Sequence, residues 1–222
     1  MKAEKKTAKI IGYVIILALV FLCAFNITYS YFTATDQATG TLRFGNLNVR
    51  FAYGYGSGSV EVVDSDTLTV FPNASSVNIG DSFTLLLENG TDVSYLAFNS
   101  SSDSTSSYIR FRINAYKQND GVLDLSTNYG QYFDFAGRNN TDIMRSVRTN
   151  GSETNAIYYV RSALATNSTM VFATGITLLS NAPISILNSE LKITISFEAV
   201  QQANEAFRSV FNDGWGYHSS WT

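Results

Sequence analysis

The sequence predicts an all-β fold, a jelly-roll β-sandwich with one or two short helices, preceded by an N-terminal hydrophobic signal helix. Three observations support this prediction. Polar and apolar residues alternate with the two-residue period of half-buried strands. Clusters of Gly, Asn, Asp and Ser separate the alternating stretches. An apolar run without any charge lies near the N-terminus.

The apolar run occupies residues 10–25 and follows the basic opening MKAEKKTAK. As a helix it would rise about 24 Å, which is less than the roughly 30 Å hydrocarbon core of a membrane. The small residues Thr28 and Ser30 follow it. A basic segment, a short apolar segment and a small–x–small site are typical of a secretory signal peptide. We therefore predict that residues 1–30 are removed by a signal peptidase between Ser30 and Tyr31. A retained membrane anchor is the alternative.

Cleavage after Ser30 would leave a single domain of acidic character. The mature chain, residues 31–222, has 11 Lys+Arg and 17 Asp+Glu, a net charge near −6. This charge makes electrostatic binding to nucleic acid unfavourable. The single cysteine, Cys23, lies within the apolar run and would be lost with it. The mature domain is therefore expected to contain no disulfide and to depend on its core or its neighbours for stability.

Eight stretches of the mature chain have the pattern of strands. The clearest are YIRFRINAY at 108–116 and LKITISFEAV at 191–200, in which apolar and polar side chains alternate. The others are residues 46–51, 59–63, 67–71, 82–89, 156–160 and 169–179. Many strands with no helix between them predict an antiparallel sandwich.

The remaining segments are predicted as a helix and loops. Ala203, Ala206, Phe207 and Val210 recur at helical spacing, which predicts a short helix over 203–211. We predict that the tail DGWGYHSSWT is mobile or makes a contact. Residues 52–59 are interpreted as a flexible hairpin tip, 100–107 as a loop too polar for the core, and 117–155 as an excursion with one or two edge strands.

Several passages occur in the order found in the TasA–camelysin family of secreted biofilm-matrix and fibre-forming proteins. TYSYFTATDQATGTLRF, residues 28–44, resembles the family's signal junction and first strand. Residues 77–116 resemble its Gly-Asp turn, strand and Y-x-R-x-R strand. AIYYVRSALATNSTMVFATGITL and ITISFEAVQQANEAF are similar to its C-terminal strands. The chain departs from the family pattern at the turn 79–81, which lacks proline, and at 165–167, where Ala-Thr-Asn replaces Pro-Gly-Glu.

The resemblance implies a jelly-roll domain over 41–222 that is exported and then polymerises by donor-strand exchange. In this mode the N-terminal strand of one subunit pairs with the next subunit. Residues 31–40 would be the donor strand, and residues 31–39 contain no Pro or Gly and are rich in strand formers. Its first residues are Tyr31, Phe32, Thr33, Ala34 and Thr35. The alternative is that residues 31–39 fold back onto their own domain.

The residues needed for catalysis and metal binding are scarce. His218 is the only histidine, and we expect it to be a surface residue. No metalloprotease motif or cysteine nucleophile is present in the mature chain. We predict no enzyme activity and no cofactor. Asp64 and Asp66 could contribute to a calcium site, but two carboxylates are too few by themselves, and a solvated turn is the favoured interpretation.

Seven N-x-S/T triplets occur in a chain rich in Asn, Ser and Thr, and composition explains most of them. Asn26 lies in the predicted signal peptide. The candidates for glycosylation in the mature chain are Asn73, Asn89, Asn99, Asn139, Asn150 and Asn167.

These features predict a structural protein: a secreted subunit of an extracellular filament or pilus at the cell surface. Its partners would be copies of itself and, during export, a signal peptidase, with membrane contact only in the precursor. The alternative is a membrane-anchored monomeric adhesin or carbohydrate-binding domain. A type IV pilin is disfavoured, because Asn26 and the Thr/Ser-rich segment after it would end a long hydrophobic helix early.

Overall fold

The computed structural model describes residues 47–56, 59–73, 78–119, 122–187, 189–213 and 215–221. The predicted signal peptide, the Ser30–Tyr31 bond and the donor strand lie outside the described residues. Within the described part of the chain, no helix is long and apolar enough to cross a membrane.

The described chain is an antiparallel β-sandwich of fifteen strands with one short α-helix. The first strands are β1 (Val49–Tyr55), β2 (Ser59–Val63), β3 (Thr67–Pro72), β4 (Ser82–Phe83), β5 (Leu85–Leu87), β6 (Asp92–Val93) and β7 (Tyr95–Ser100). They are followed by β8 (Ser107–Asn119), β9 (Val122–Asp124), β10 (Phe133–Ala136), β11 (Ile143–Asn150) and β12 (Glu153–Val160). The last are β13 (Thr169–Ala173), β14 (Gly175–Leu178) and β15 (Glu190–Gln201), then α1 (Ala206–Val210).

The strands form three sheets. The large sheet has the order β11-β12-β8-β15-β3-β5-β6, with β9 paired to the far end of β8. The four-stranded sheet has the order β13-β7-β1-β2, and the three-stranded sheet has the order β10-β14-β4. Three pairs of consecutive strands belong to different sheets and are separated by a single residue. These residues are Thr84 between β4 and β5, Ser94 between β6 and β7, and Thr174 between β13 and β14. The sheets are therefore joined at their corners as well as by the core.

An aromatic core lies between the four-stranded and the large sheet. Phe98 of β7 stacks on Phe172 of β13 with ring centroids 4.5 Å apart, and meets Phe111 of β8 edge-on at 5.1 Å. Phe51 of β1 meets Phe197 of β15 edge-on at 4.8 Å. All five side chains are buried. Because alternate residues of each strand face this core, the polar residues between them face outward, as the alternation in the sequence predicts.

Most of the predicted strands are confirmed, and the predicted helix is confirmed in a shorter form. The segments 59–63, 67–71, 108–116 and 191–200 lie within β2, β3, β8 and β15. A 3-10 turn, Ala203–Glu205, leads into α1, in which Ala206 and Phe207 are buried.

Two loop predictions are confirmed only in part: residues 101–106 are a loop, and 117–155 contains the edge strands β9 and β11. The segment 117–155 is not an excursion, because Phe133, Phe135 and Ile143 belong to the main core. In the segment 100–107, Ser104 and Ser107 are buried, and the Ser104 hydroxyl accepts a hydrogen bond from the backbone N–H of Asn48 at 3.0 Å. The backbone of Ser107 exchanges hydrogen bonds with Leu164 at 3.0 and 2.7 Å, while its buried hydroxyl has no hydrogen-bond partner among the described residues.

The hairpin predicted at 52–59 is present, but its tyrosines are not at a flexible tip. Tyr53 and Tyr55 lie in β1, where Tyr53 is buried and Tyr55 packs against the core. The turn of the hairpin begins at Gly56.

Candidate assembly edges and the C-terminal segment

The outer edge of β2 has no strand partner among the described residues. The backbone N–H of Ser101 donates to the carbonyl of Asn48 at 3.1 Å, so Asn48 directs its backbone polar groups toward β7. By alternation along an antiparallel strand, Ala52 does the same. Val62 is opposite Ala52 in the β1–β2 register, so its own N–H and C=O point away from β1. The edge of β2 therefore presents unpaired backbone donors and acceptors.

The β2 edge also lacks three features that usually block strand addition, namely proline, lysine and a bulge. Its five residues, SVEVV, include no proline and no lysine, and its register with β1 is unbroken. The one charge, Glu61, accepts a hydrogen bond from the Tyr53 hydroxyl at 2.7 Å. Burial and this contact raise the pKa of Tyr53 to about 12, so the phenol remains a donor at neutral pH. The carboxylate is thus held on the inner face rather than along the edge.

The other edges of the described sheets are protected or short. β13 carries a register shift between Val171 and Ala173, and a bulge of this kind disfavours addition of a further strand. β11 carries Arg145 and Arg148. β6 and β4 have two residues each, β9 has three and β10, at the edge of the three-stranded sheet, has four. Among the described strands, β2 is the longest edge that is neither bulged nor basic.

The C-terminal segment forms a second, smaller core on the outer face of the large sheet. Trp215 and Trp221 are buried with Phe207 and Phe211, and they cover Tyr159 and neighbouring residues of β8, β12 and β15. The Trp221 indole N–H donates to the Val160 carbonyl at 2.6 Å. The Tyr159 hydroxyl donates to the Trp215 carbonyl, also at 2.6 Å. Of the two alternatives predicted for the tail, a mobile segment or a contact, residues 215–221 make a contact.

Arg110 fixes this segment to the sheet. It projects from the outer face of β8, is buried, and its guanidinium lies 4.3 Å from the centre of the Phe211 ring. It donates to Glu198 at 2.9 Å, to Asp213 at 2.7 Å and to the Gly216 carbonyl at 2.9 Å. Burial alone would raise the pKa of the Asp213 carboxyl, but the hydrogen bond and charge of Arg110 outweigh it and lower that pKa.

This ion pair predicts an acid-sensitive attachment of the C-terminal segment. Because the pKa of Asp213 is lower in the folded chain than its ordinary value of 3.8, the unfolded chain binds this proton first on acidification. The ion pair therefore stabilises the folded chain fully at pH values above the ordinary pKa of Asp213. This stabilisation is lost as the pH falls through the lower pKa that Asp213 has in the folded chain. Asp213→Asn is expected to lower the free energy of unfolding at pH 7 by about 1 kcal/mol or less, since the carboxylate is partly exposed. The free energy of unfolding of this variant should also decrease less than that of the wild type as the pH is lowered.

Urea unfolding of the mature protein between pH 7 and pH 2.5 measures this dependence. Glu88→Gln, at an exposed carboxylate in the turn after β5, is the matched control. Its free energy of unfolding should follow the wild-type dependence on pH. An Asp213→Asn protein whose stability follows the wild-type pH curve would show that the ion pair contributes nothing.

Asp64 and Asp66 lie in the turn between β2 and β3. The Asp64 side chain is largely exposed and forms a 3.4 Å ion pair with Arg50, while Asp66 accepts a hydrogen bond from the Thr67 hydroxyl. In the described part of the chain, no group of three or more His, Cys, Asp or Glu side chains is arranged to hold a metal ion. In this turn Asp64 is exposed and Asp66 is half-buried.

The six candidate asparagines of the mature domain are not equally accessible. Asn99 is half-buried in β7 and its amide donates to the Thr169 hydroxyl at 2.9 Å, so this position is the least open to modification. Asn167 adopts a left-handed conformation with φ 52°. The exposed candidates are Asn73, Asn89, Asn139, Asn150 and Asn167.

His218 is half-buried rather than fully on the surface. Its ring lies 5.9 Å from that of Tyr159, beneath the C-terminal segment. Burial and the nearby charges of Arg161 and Arg148 lower the pKa of His218, which favours a neutral imidazole. The residue therefore lies beside Tyr159, a member of the second core.

Comparison with known proteins found no matching family model, no matching curated protein and no matching solved structure. The functional interpretation therefore depends on the residues and geometry described above.

Proposed function

We propose that this chain is the structural subunit of an extracellular filament, polymerising by insertion of residues 31–39 of one subunit beside β2 of the next. The observation that carries the proposal is the β2 edge, which pairs with β1 in unbroken register and has no strand partner on its other side among the described residues. A fifth strand would satisfy the outward N–H and C=O groups of Val60 and Val62 and extend the four-stranded sheet.

The donor segment suits this role in composition and position. YFTATDQAT is rich in Tyr, Phe and Thr and contains no residue that would break a strand. A signal-peptide cut after Ser30 would make it the free N-terminus of the mature chain. Because donor and acceptor are different surfaces, each added subunit presents a new acceptor, and the contact propagates as a filament instead of closing into a dimer.

The resemblance to the TasA–camelysin family supports the same assignment. It adds two expectations: that the sandwich has jelly-roll connectivity, and that residues 1–30 form a signal helix removed during export. The proposed protein is secreted, requires no cofactor, and has copies of itself as its main partners.

Deletion of residues 31–39 from the mature chain tests this function. We expect the shortened protein to fold, because its core is unchanged, and to remain monomeric, because it has lost the donor strand. A chain in which nine Gly/Ser residues replace 31–39 controls for length and should also fail to polymerise. The measurement is negative-stain electron microscopy with light scattering.

A second experiment adds a synthetic peptide of residues 31–39 to the protein that lacks these residues. It should bind the shortened protein one to one without producing filaments, because the complex has an occupied acceptor and no covalently attached donor. Filaments of normal length from either shortened or Gly/Ser-substituted protein would refute donor-strand exchange.

A further inference from the structure

The outer face of the large sheet carries an ordered array of polar side chains on three interior strands, β8, β15 and β3. Two rows of side chains cross these strands in register, and we define them as the polar face: Arg112, Ser196 and Thr67, then Asn114, Thr194 and Thr69. They point away from the main core, because the residues that alternate with them on each strand belong to that core. All six are half-buried or exposed, so a ligand can reach them.

A ligand of the polar face has to be recognised by side chains. β8 lies between β12 and β15, β15 between β8 and β3, and β3 between β15 and β5. The backbone N–H and C=O groups of these strands are therefore used within the sheet, and an added peptide strand, which needs an open edge, has no place here.

The side chains of the polar face suit the hydroxyl groups of a saccharide. Polar groups lie about 4.8 Å apart across the strands and roughly 7 Å apart along them, which is within reach of a single sugar ring. The Ser196 hydroxyl accepts a hydrogen bond from the Asn114 amide at 3.3 Å, so its own O–H remains available to donate. Thr194 and Thr69 lie opposite each other in the next row.

A small open pocket lies at one end of the polar face. Its polar and apolar lining includes Arg110, Arg112, Ile157, Ser196, Glu198 and Trp215. The Arg112 guanidinium lies 5.8 Å from the centre of the Trp215 ring, and this contact orients it at the pocket. Because Ser196 lines the pocket and also belongs to the polar face, one ligand can occupy both.

Arg112 is the cation of this pocket that remains to bind a ligand. Glu198 and Asp213 both accept hydrogen bonds from Arg110, at 2.9 and 2.7 Å. Within the described part of the chain, Arg112 forms no ion pair. A guanidinium matches a carboxylate through two parallel hydrogen bonds. A carboxylate next to several hydroxyl groups is the chemistry of a uronic acid.

We propose that the polar face and its pocket bind an acidic saccharide, with a uronic acid carboxylate on Arg112 and ring hydroxyls on Ser196, Thr194 and Thr69. This site lies on the large sheet, whereas β2 belongs to the four-stranded sheet. The inference therefore goes beyond the proposed function and applies equally to a monomer and to a subunit in a filament.

Equilibrium dialysis of a labelled oligogalacturonate against the mature protein tests this site, because it measures binding whether or not the protein has polymerised. Arg112→Gln is expected to weaken binding at least about tenfold, since it removes a charge-assisted contact. The methyl-esterified oligomer keeps its ring hydroxyls but loses its charge, and should bind the wild type at least about tenfold more weakly. Thr194→Val removes one hydroxyl at nearly constant volume and should weaken binding about threefold.

Arg161→Gln is the matched control, because it removes the same charge from an exposed position directly after β12. It should change the affinity less than about twofold. Wild-type affinity in Arg112→Gln, equal affinity for the methyl ester, or no binding to the wild type at millimolar ligand would overturn the proposal. Equally tight binding of a glutamate oligopeptide would also overturn it, because it would indicate general attraction of polyanions. None of these results depends on filament formation, so the site and the proposed function fail separately.

Discussion

Filaments are expected to be lost when proline replaces Val62. The N–H of Val62 points away from β1, so proline removes a donor from the free edge without breaking the β1–β2 ladder. A ladder hydrogen bond contributes about 1 kcal/mol, and the ring adds a steric obstacle to an incoming strand. We expect at least a tenfold rise in the critical concentration for polymerisation, since about 1.4 kcal/mol corresponds to tenfold.

Val147→Pro is the matched control for this result. The backbone N–H of Arg161 donates to the Asp142 carbonyl at 2.8 Å, so by alternation Val147 directs its own N–H away from β12. Both substitutions therefore remove one exposed edge donor, but only Val62 lies on the proposed acceptor. Sedimentation and electron microscopy should show filaments for Val147→Pro. If Val62→Pro polymerises as well as Val147→Pro, β2 is not the acceptor.

Trp221→Ala is expected to lower the free energy of unfolding by about 3–5 kcal/mol, the usual cost of removing a large buried aromatic side chain. The Trp221 ring stacks on Tyr108 with centroids 5.0 Å apart and contacts Phe207, and its indole N–H bonds to the Val160 carbonyl. For a chain of this size, a loss of this order should lower the melting temperature by about 10 °C.

Thermal and urea unfolding of the mature protein provide the measurement. Ile184→Ala is the control, because Ile184 is 73% exposed and its truncation should change stability by less than about 0.5 kcal/mol. A Trp221→Ala protein with the wild-type unfolding midpoint would contradict the packing of the C-terminal segment against the large sheet.

The strands that the sequence predicts correctly have one fully buried face and one face that is less buried and mostly polar. In LKITISFEAV, Ile193, Ile195 and Phe197 are buried, while the residues between them are half-buried. This two-residue period results from one-sided burial, so local sequence is sufficient to locate such strands.

The C-terminal core was harder to predict because its residues have no period. Trp215 and Trp221 are separated by small and polar residues, as in an exposed tail. The available signal lies in the strands beneath them. Tyr108 and Val200 are apolar at outward positions of β8 and β15, and Tyr158-Tyr159 interrupts the alternation of β12. Apolar residues on both faces of a strand indicate a second covering layer.

The assembly edge could be predicted only in part. The segment SVEVV is readily identified as a strand, but whether a strand lies at the edge of a sheet depends on pairing between distant segments. β1, for example, pairs with β2 on one side and with β7 on the other. The sequence does not predict a strand at residues 133–136, because FDFA is too short to establish a period, although Phe133 and Phe135 are both buried.

Electron cryo-microscopy of filaments assembled from the mature protein tests the central claim most directly. The account predicts a fifth strand beside β2, with density that traces to residues 31–39 of a neighbouring subunit and begins at Tyr31. A strand beside β2 that is continuous with residue 40 of the same subunit, or a β2 edge left open in the filament, would contradict donor-strand exchange at this edge.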